Sequence, residues 1–152
     1  MARIFTPLIV LIATVLAPVL VSAEVVSIAP EEARAKAIAG EIVMIDIRSF
    51  EEVAESAMPD VALLVDKYAP DFAQKLAAVQ AQAGGAPVAV FCRRGGCAEA
   101  MEAELLALGF VAVLDVAGGF YGDGDIPGWG KLALPIRTID MGVNGMVPFK
   151  QP

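Results

Sequence analysis

The chain has 152 residues, with 11 Lys plus Arg against 18 Asp plus Glu, a formal net charge of −7 and no histidine. That acidic balance repels nucleic acid and anionic membrane surfaces, and no basic tract overrides it. The missing imidazole removes Ser–His, Cys–His and His–metal chemistry, and the length suits one domain.

At the amino end, Arg3 precedes an apolar run from Ile4 to Val21, broken only by Thr6, Pro7, Thr14 and Pro18. Val21-Ser22-Ala23 then presents the small residues of a signal-peptidase site, with Pro18 placed to end the helix before it. Residues 1–23 therefore read as a cleavable signal peptide, and the mature protein as periplasmic or secreted. An uncleaved N-terminal anchor facing outside is the rival reading, since the run approaches spanning length. Without the leader, ten Lys plus Arg face 18 acids, a net charge of −8. No membrane partner is expected after cleavage.

From residue 24 onward, short β-branched runs alternate with Ala-rich helical stretches, the pattern of a parallel α/β sheet covered on both faces. Val25 to Ile28 reads as a first strand, and Pro30 suits the first turn of a helix that stops at Gly40. Ile42 to Asp46 reads as a buried strand, and Ser49 with Glu52 as a capping box opening a short helix. Val61 to Val65 is the expected third strand. Pro70 is expected to open a helix carrying Phe72, Leu76 and Val79 on one face and closing at Gly84-Gly85. Pro87 to Phe91 forms the fourth strand, ending at Cys92. A glycine turn then leads to a helix with Met101, Leu105 and Leu108 on one face. Val111 to Val116 is the fifth strand, Tyr121 to Gly130 a loop, and residues 138–152 a tail without period. The domain itself spans residues 24–137.

The chemistry concentrates in Cys92-Arg93-Arg94-Gly95-Gly96-Cys97-Ala98. A buried strand delivers Cys92 to the carboxyl edge of the sheet, where open α/β folds bind ligands. Gly95 and Gly96 can take positive φ and turn loop amides inward, as an anion-binding nest does. The helix that follows, with Arg93 and Arg94 nearby, favours a thiolate. The expected cradle is thus Arg93, Arg94, Gly95, Gly96, Cys97 and Ala98 around a nucleophilic Cys92.

Around this loop the chain resembles the rhodanese (sulfurtransferase) family. Asp46-Ile47-Arg48-Ser49-Phe50-Glu51-Glu52-Val53 is similar to that family's D-V-R-x-x-x-E-[YF] segment. Met58-Pro59 stands where it writes H-I-P-G-A, with Ala57 and Asp60 replacing its His and Gly. Gly109-Phe110 to Gly118-Gly119-Phe120 resembles its G-F-x-x-V-x-x-L-x-G-G stretch, and Trp129 with Leu134-Pro135 its closing W…G-L-P. The resemblance spans roughly residues 26–136. It implies a three-layer α/β fold with a five-stranded parallel sheet flanked by helices. It also implies a sulfur relay in which Cys92 accepts sulfane sulfur from thiosulfate or a persulfide and passes it to a thiol acceptor. No cofactor is implied, and no protein partner is identified.

Phosphatase cousins of this loop need an Arg six residues after the Cys, and Ala98 stands there. The departure of most consequence is Cys97. In an oxidising compartment it invites a bond to Cys92, read as a permanent staple, as a redox partner that resolves a persulfide, or as absent if Cys97 is a spectator. A thiol–disulfide module on Cys92 and Cys97, or a non-catalytic binding domain, are the alternatives to sulfur transfer. Asp46 and Arg48 read as a structural ion pair near the site. The aspartates of Gly122-Asp123-Gly124-Asp125 fall short of the ligands a calcium site needs, so no metal is assigned.

Overall fold

The computed structural model describes residues 25–139. The expected leader and most of the expected tail lie outside them. Among the described residues no helix is long and apolar enough to cross a membrane.

Eleven elements follow one another: β1 (Val26–Ile28), α1 (Pro30–Ile38), β2 (Val43–Asp46), α2 (Phe50–Ser56), β3 (Met58–Pro59), β4 (Leu63–Leu64), α3 (Phe72–Gln82), β5 (Val88–Phe91), α4 (Ala98–Ala107), β6 (Val113–Val116) and β7 (Ile136–Arg137). Five strands make one parallel sheet in the order β1-β6-β5-β2-β4. This is the α/β architecture and the five-stranded parallel sheet that the sequence implies.

Side-chain parity along β5 divides the core in two. Val88 and Val90 face a cluster with Leu76 and Val79 of α3 and Met101 and Leu105 of α4. Ala89 and Phe91 face the other cluster, with Ala33 of α1, Val53 of α2 and Trp129. A strand buried on both faces needs apolar residues at every position, which is why Val88–Phe91 lacks alternation. Cys92 continues the parity of Val90 and joins the α3/α4 side. That side is where α4 begins.

Several boundaries differ from expectation for physical reasons. The third strand is shorter than Val61 to Val65, pairing only through Leu63 and Leu64. A small antiparallel sheet of Met58–Pro59 against Ile136–Arg137 was not expected; it is made by tertiary contact. The helix foreseen at Pro70 starts at Phe72, because residues 66–71 turn first. Ser49 caps α2 by accepting from the Glu52 amide at 3.1 Å, yet Glu52 does not complete the box. Its carboxylate turns instead to Arg48, 3.9 Å away.

Candidate active site

β2 and β5 are hydrogen-bonded in register, Asp46 beside Phe91, so their carboxyl ends stand side by side. At the end of β2, Asp46 and Arg48 form a buried ion pair, Arg48 Nη2 lying 2.6 Å from Asp46 Oδ2. Arg48 also donates to the Ala57 carbonyl and the Ser56 hydroxyl, and its guanidinium sits 4.5 Å from the Phe120 ring centroid. Burial pushes the Asp46 carboxyl above its usual range, more than the Arg48 hydrogen bonds pull it down. This pair braces the sheet edge and presents no open face to a ligand.

At the end of β5 lies the cysteine loop. Cys92 is 4% exposed and bonded to Cys97, which stands at the N-cap of α4 with its Cα 6.4 Å away. Among the three readings of Cys97, the spectator is therefore set aside. Residues 118–121 hold the loop from beneath. Phe120 donates to the Cys92 carbonyl at 3.0 Å, and Tyr121 to the Arg93 carbonyl at 3.0 Å. Gly119 has φ +51°, and a Cβ there would run into the Cys92 carbonyl and the amides of Arg94 and Gly95. Gly119 thus lets the loop sit down on it, while a Cβ on Gly118 would meet the Pro127 carbonyl instead.

Gly95 and Gly96 take positive φ, +85° and +73°. Their amides, however, do not converge on sulfur. Gly96 N donates at 2.9 Å and Ala98 N at 3.3 Å to the two carboxylate oxygens of Asp115. Asp115 belongs to β6 and shares the parity of Val113, so its side chain points toward the α4 side. The polar atom against both sulfurs is the Gly95 carbonyl oxygen, 3.6 Å from Cys92 Sγ and 3.8 Å from Cys97 Sγ. In the disulfide form, then, two amides of the expected cradle, those of Gly96 and Ala98, are turned to a protein carboxylate.

Arg93 and Arg94 are exposed and part company. The Arg93 guanidinium lies 5.4 Å from the Tyr121 ring centroid. Arg94 lines a cavity of ≈ 260 Å³ beside the loop, together with Ser27, Gly96, Glu99, Asp115 and Ile126. Sequence reasoning missed Asp115. The readable signal was an acid inside the otherwise apolar run Val111 to Val116, one strand away from a glycine loop. Around Gly122 to Asp125 the chain makes a tight turn closed by an Asp123–Ile126 bridge. Among the described residues no group of three or more acidic or thiol side chains could hold a metal.

No curated protein matches the chain. Among solved structures it resembles Rv0390 from M. tuberculosis, with a TM-score of 0.54 and 23% identity over 73% of this chain and 96% of that one. At that identity the likeness speaks for the fold. The rhodanese-like domain model matches residues 29–123, which run from the turn before α1 through the cysteine loop and the double glycine beneath it. The chain belongs to the rhodanese-like domain family.

Proposed function

We propose that the protein is a two-cysteine sulfurtransferase, in which Cys92 takes up sulfane sulfur and Cys97 resolves it. The observation that carries this reading is the bond between Cys92, at the end of a buried strand, and Cys97, at the start of the following helix. Reduced Cys92 thiolate attacks the outer sulfur of thiosulfate. A new S–S bond forms on Cys92 while the S–S bond of thiosulfate breaks and sulfite leaves. The terminal sulfur passes to an external thiol acceptor, or the Cys97 thiol attacks Cys92 Sγ, forms the disulfide and releases hydrosulfide. An external dithiol then reduces the pair by becoming a disulfide itself.

A disulfide persists in an oxidising compartment, which supports assigning residues 1–23 to export and the domain to the periplasm or the medium. Arg94, on the wall of the neighbouring cavity, supplies positive charge for an anionic donor.

Intact mass tests the reading. Reduced Cys97→Ser protein given thiosulfate should gain one sulfur and keep it, Cys92→Ser should gain none, and wild type should release hydrosulfide and return to the disulfide. A Cys97→Ser protein that stays unloaded by thiosulfate and by polysulfide would overturn sulfur transfer. Thiol exchange with glutathione would then mark the site as a thiol–disulfide module.

A further inference from the structure

Gly95 C=O and Gly96 N–H belong to one peptide unit, and no peptide bond among the described residues is cis. In a trans peptide the carbonyl and the N–H point in opposite directions. Whatever holds the Gly96 N–H therefore aims the Gly95 carbonyl. Asp115 holds that N–H at 2.9 Å, and on the other side the carbonyl oxygen meets Cys92 Sγ and Cys97 Sγ.

We infer that Asp115 is a positioning residue that biases the Cys92–Cys97 pair toward the disulfide by fixing the Gly95–Gly96 peptide carbonyl-inward. A carbonyl oxygen tolerates two bonded, uncharged sulfurs. It repels a thiolate, and equally the terminal sulfur of a Cys92 persulfide, both of which call for N–H donors. The peptide is intrinsically free to turn, since neither flanking residue has a Cβ and glycine populates both signs of φ. Asp115 removes that freedom. It is itself well placed to do so: it is buried, fixed in register between Ser27 and Val90, and it takes the Ala98 amide with its second oxygen. Its carboxylate also answers the partial positive charge at the start of α4, which would otherwise favour a thiolate there. The other charges around the loop are Arg93 and Arg94 on the loop, Glu99 in the first turn of α4, Asp123 beyond the double glycine, and the Asp46–Arg48 pair at the end of β2. The two loop arginines are exposed and form no ion pair among the described residues, whereas Asp115 touches the peptide that touches the sulfurs.

The chemistry is the two-electron exchange of the protein disulfide with glutathione: two glutathione thiols are oxidised to one disulfide while Cys92 and Cys97 become thiols. The inference rests on the paired cysteines of the proposed function and not on sulfur uptake, so failure of thiosulfate loading leaves it standing. The test sets wild type, Asp115→Ala and Asp115→Asn in glutathione redox buffers and reads the oxidised fraction. Alkylation rate against pH on the reduced proteins then reads the thiolate fraction. Asp115→Ala should move the equilibrium about tenfold toward the dithiol and lower the alkylation midpoint. Asp115→Asn keeps an acceptor for the Gly96 amide, and should give less than half of that shift on a logarithmic scale. Equal shifts in the two variants would reduce the effect to lost charge and overturn the positioning role; no shift in either would overturn it outright. If the alanine protein does not fold, Asp115→Ser, too short to span both amides, takes its place.

Discussion

The carboxyl ends of β2 and β5 are neighbours in one sheet, yet they are closed by different chemistry. At β2 a guanidinium ties Asp46, Ser56 and Ala57 together and stacks on Phe120. At β5 a disulfide ties the strand end to the helix start. The first closure cannot be pulled apart without leaving an uncompensated charge in the interior. The second can be opened by two electrons. One rim therefore gives the sheet edge its rigidity, and the other carries a bond that reduction can open.

The sharpest way to break this contrast is at β2. Arg48→Ala leaves Asp46 buried without its cation and should cost about 3–5 kcal/mol of stability, read from the denaturant midpoint of the oxidised protein. A loss under about 1 kcal/mol would mean that Arg48 does not brace the end of β2. Next in size is Gly119→Ala, beneath the cysteine loop. A Cβ there meets backbone in a left-handed conformation, so about 2–3 kcal/mol should be lost. Its disulfide should also re-form more slowly after reduction, since the Cys92 carbonyl is what the new methyl displaces.

Opening the second closure should be gentler. Cys92 and Cys97 are five residues apart, and a loop that short returns about 2 kcal/mol of chain entropy on reduction. The same domain should therefore stay folded when reduced, with a lower denaturant midpoint and unchanged far-ultraviolet dichroism. The route of reduction is set by burial in the disulfide form, where Cys92 is 4% exposed against the α3/α4 cluster while Cys97 is partly exposed. Glutathione added to the oxidised protein and quenched with acid should be found on Cys97. Trypsin cuts at Arg93 and Arg94, which separates the two cysteines and makes the assignment direct. Adduct on Cys92 instead would show that access does not govern the attack.

The two closures were not equally legible in the sequence. The strand Val88–Phe91, the cysteine at its end and the positive-φ glycines follow from local rules, because each depends on residues within one turn of itself. The Asp46–Arg48 pair was legible for the same reason, being two residues apart. What escaped was set by neighbours in space. Glu52 has the spacing of a capping partner, but a guanidinium 3.9 Å away competes for its carboxylate. Met58–Pro59 becomes a strand only because Ile136–Arg137 returns beside it. The loop amides have the spacing of a nest, but those of Gly96 and Ala98 turn to Asp115, 19 residues beyond Gly96. Local pattern places the cysteine loop at the end of a buried strand; a carboxylate from the next strand takes two of its amides.

The smallest expected effect separates the closures by their response to pH. Burial holds the Asp46 carboxyl above its ordinary value of 3.8, so between that value and its raised one the folded protein binds a proton that the unfolded chain does not. Stability from this group is then fully present below the unfolded value and is lost as pH rises through the folded one. Asp46→Asn lacks the titration. The stability of wild type relative to Asp46→Asn should therefore increase as pH is lowered from neutrality toward 4, a trend read from paired denaturant curves at constant ionic strength. A relative stability that falls over the same range would mean that the Arg48 hydrogen bonds outweigh desolvation, and that Asp46 is held as a carboxylate. Reduction of the disulfide beforehand should leave the slope unchanged, because the two closures share a sheet edge but not a proton.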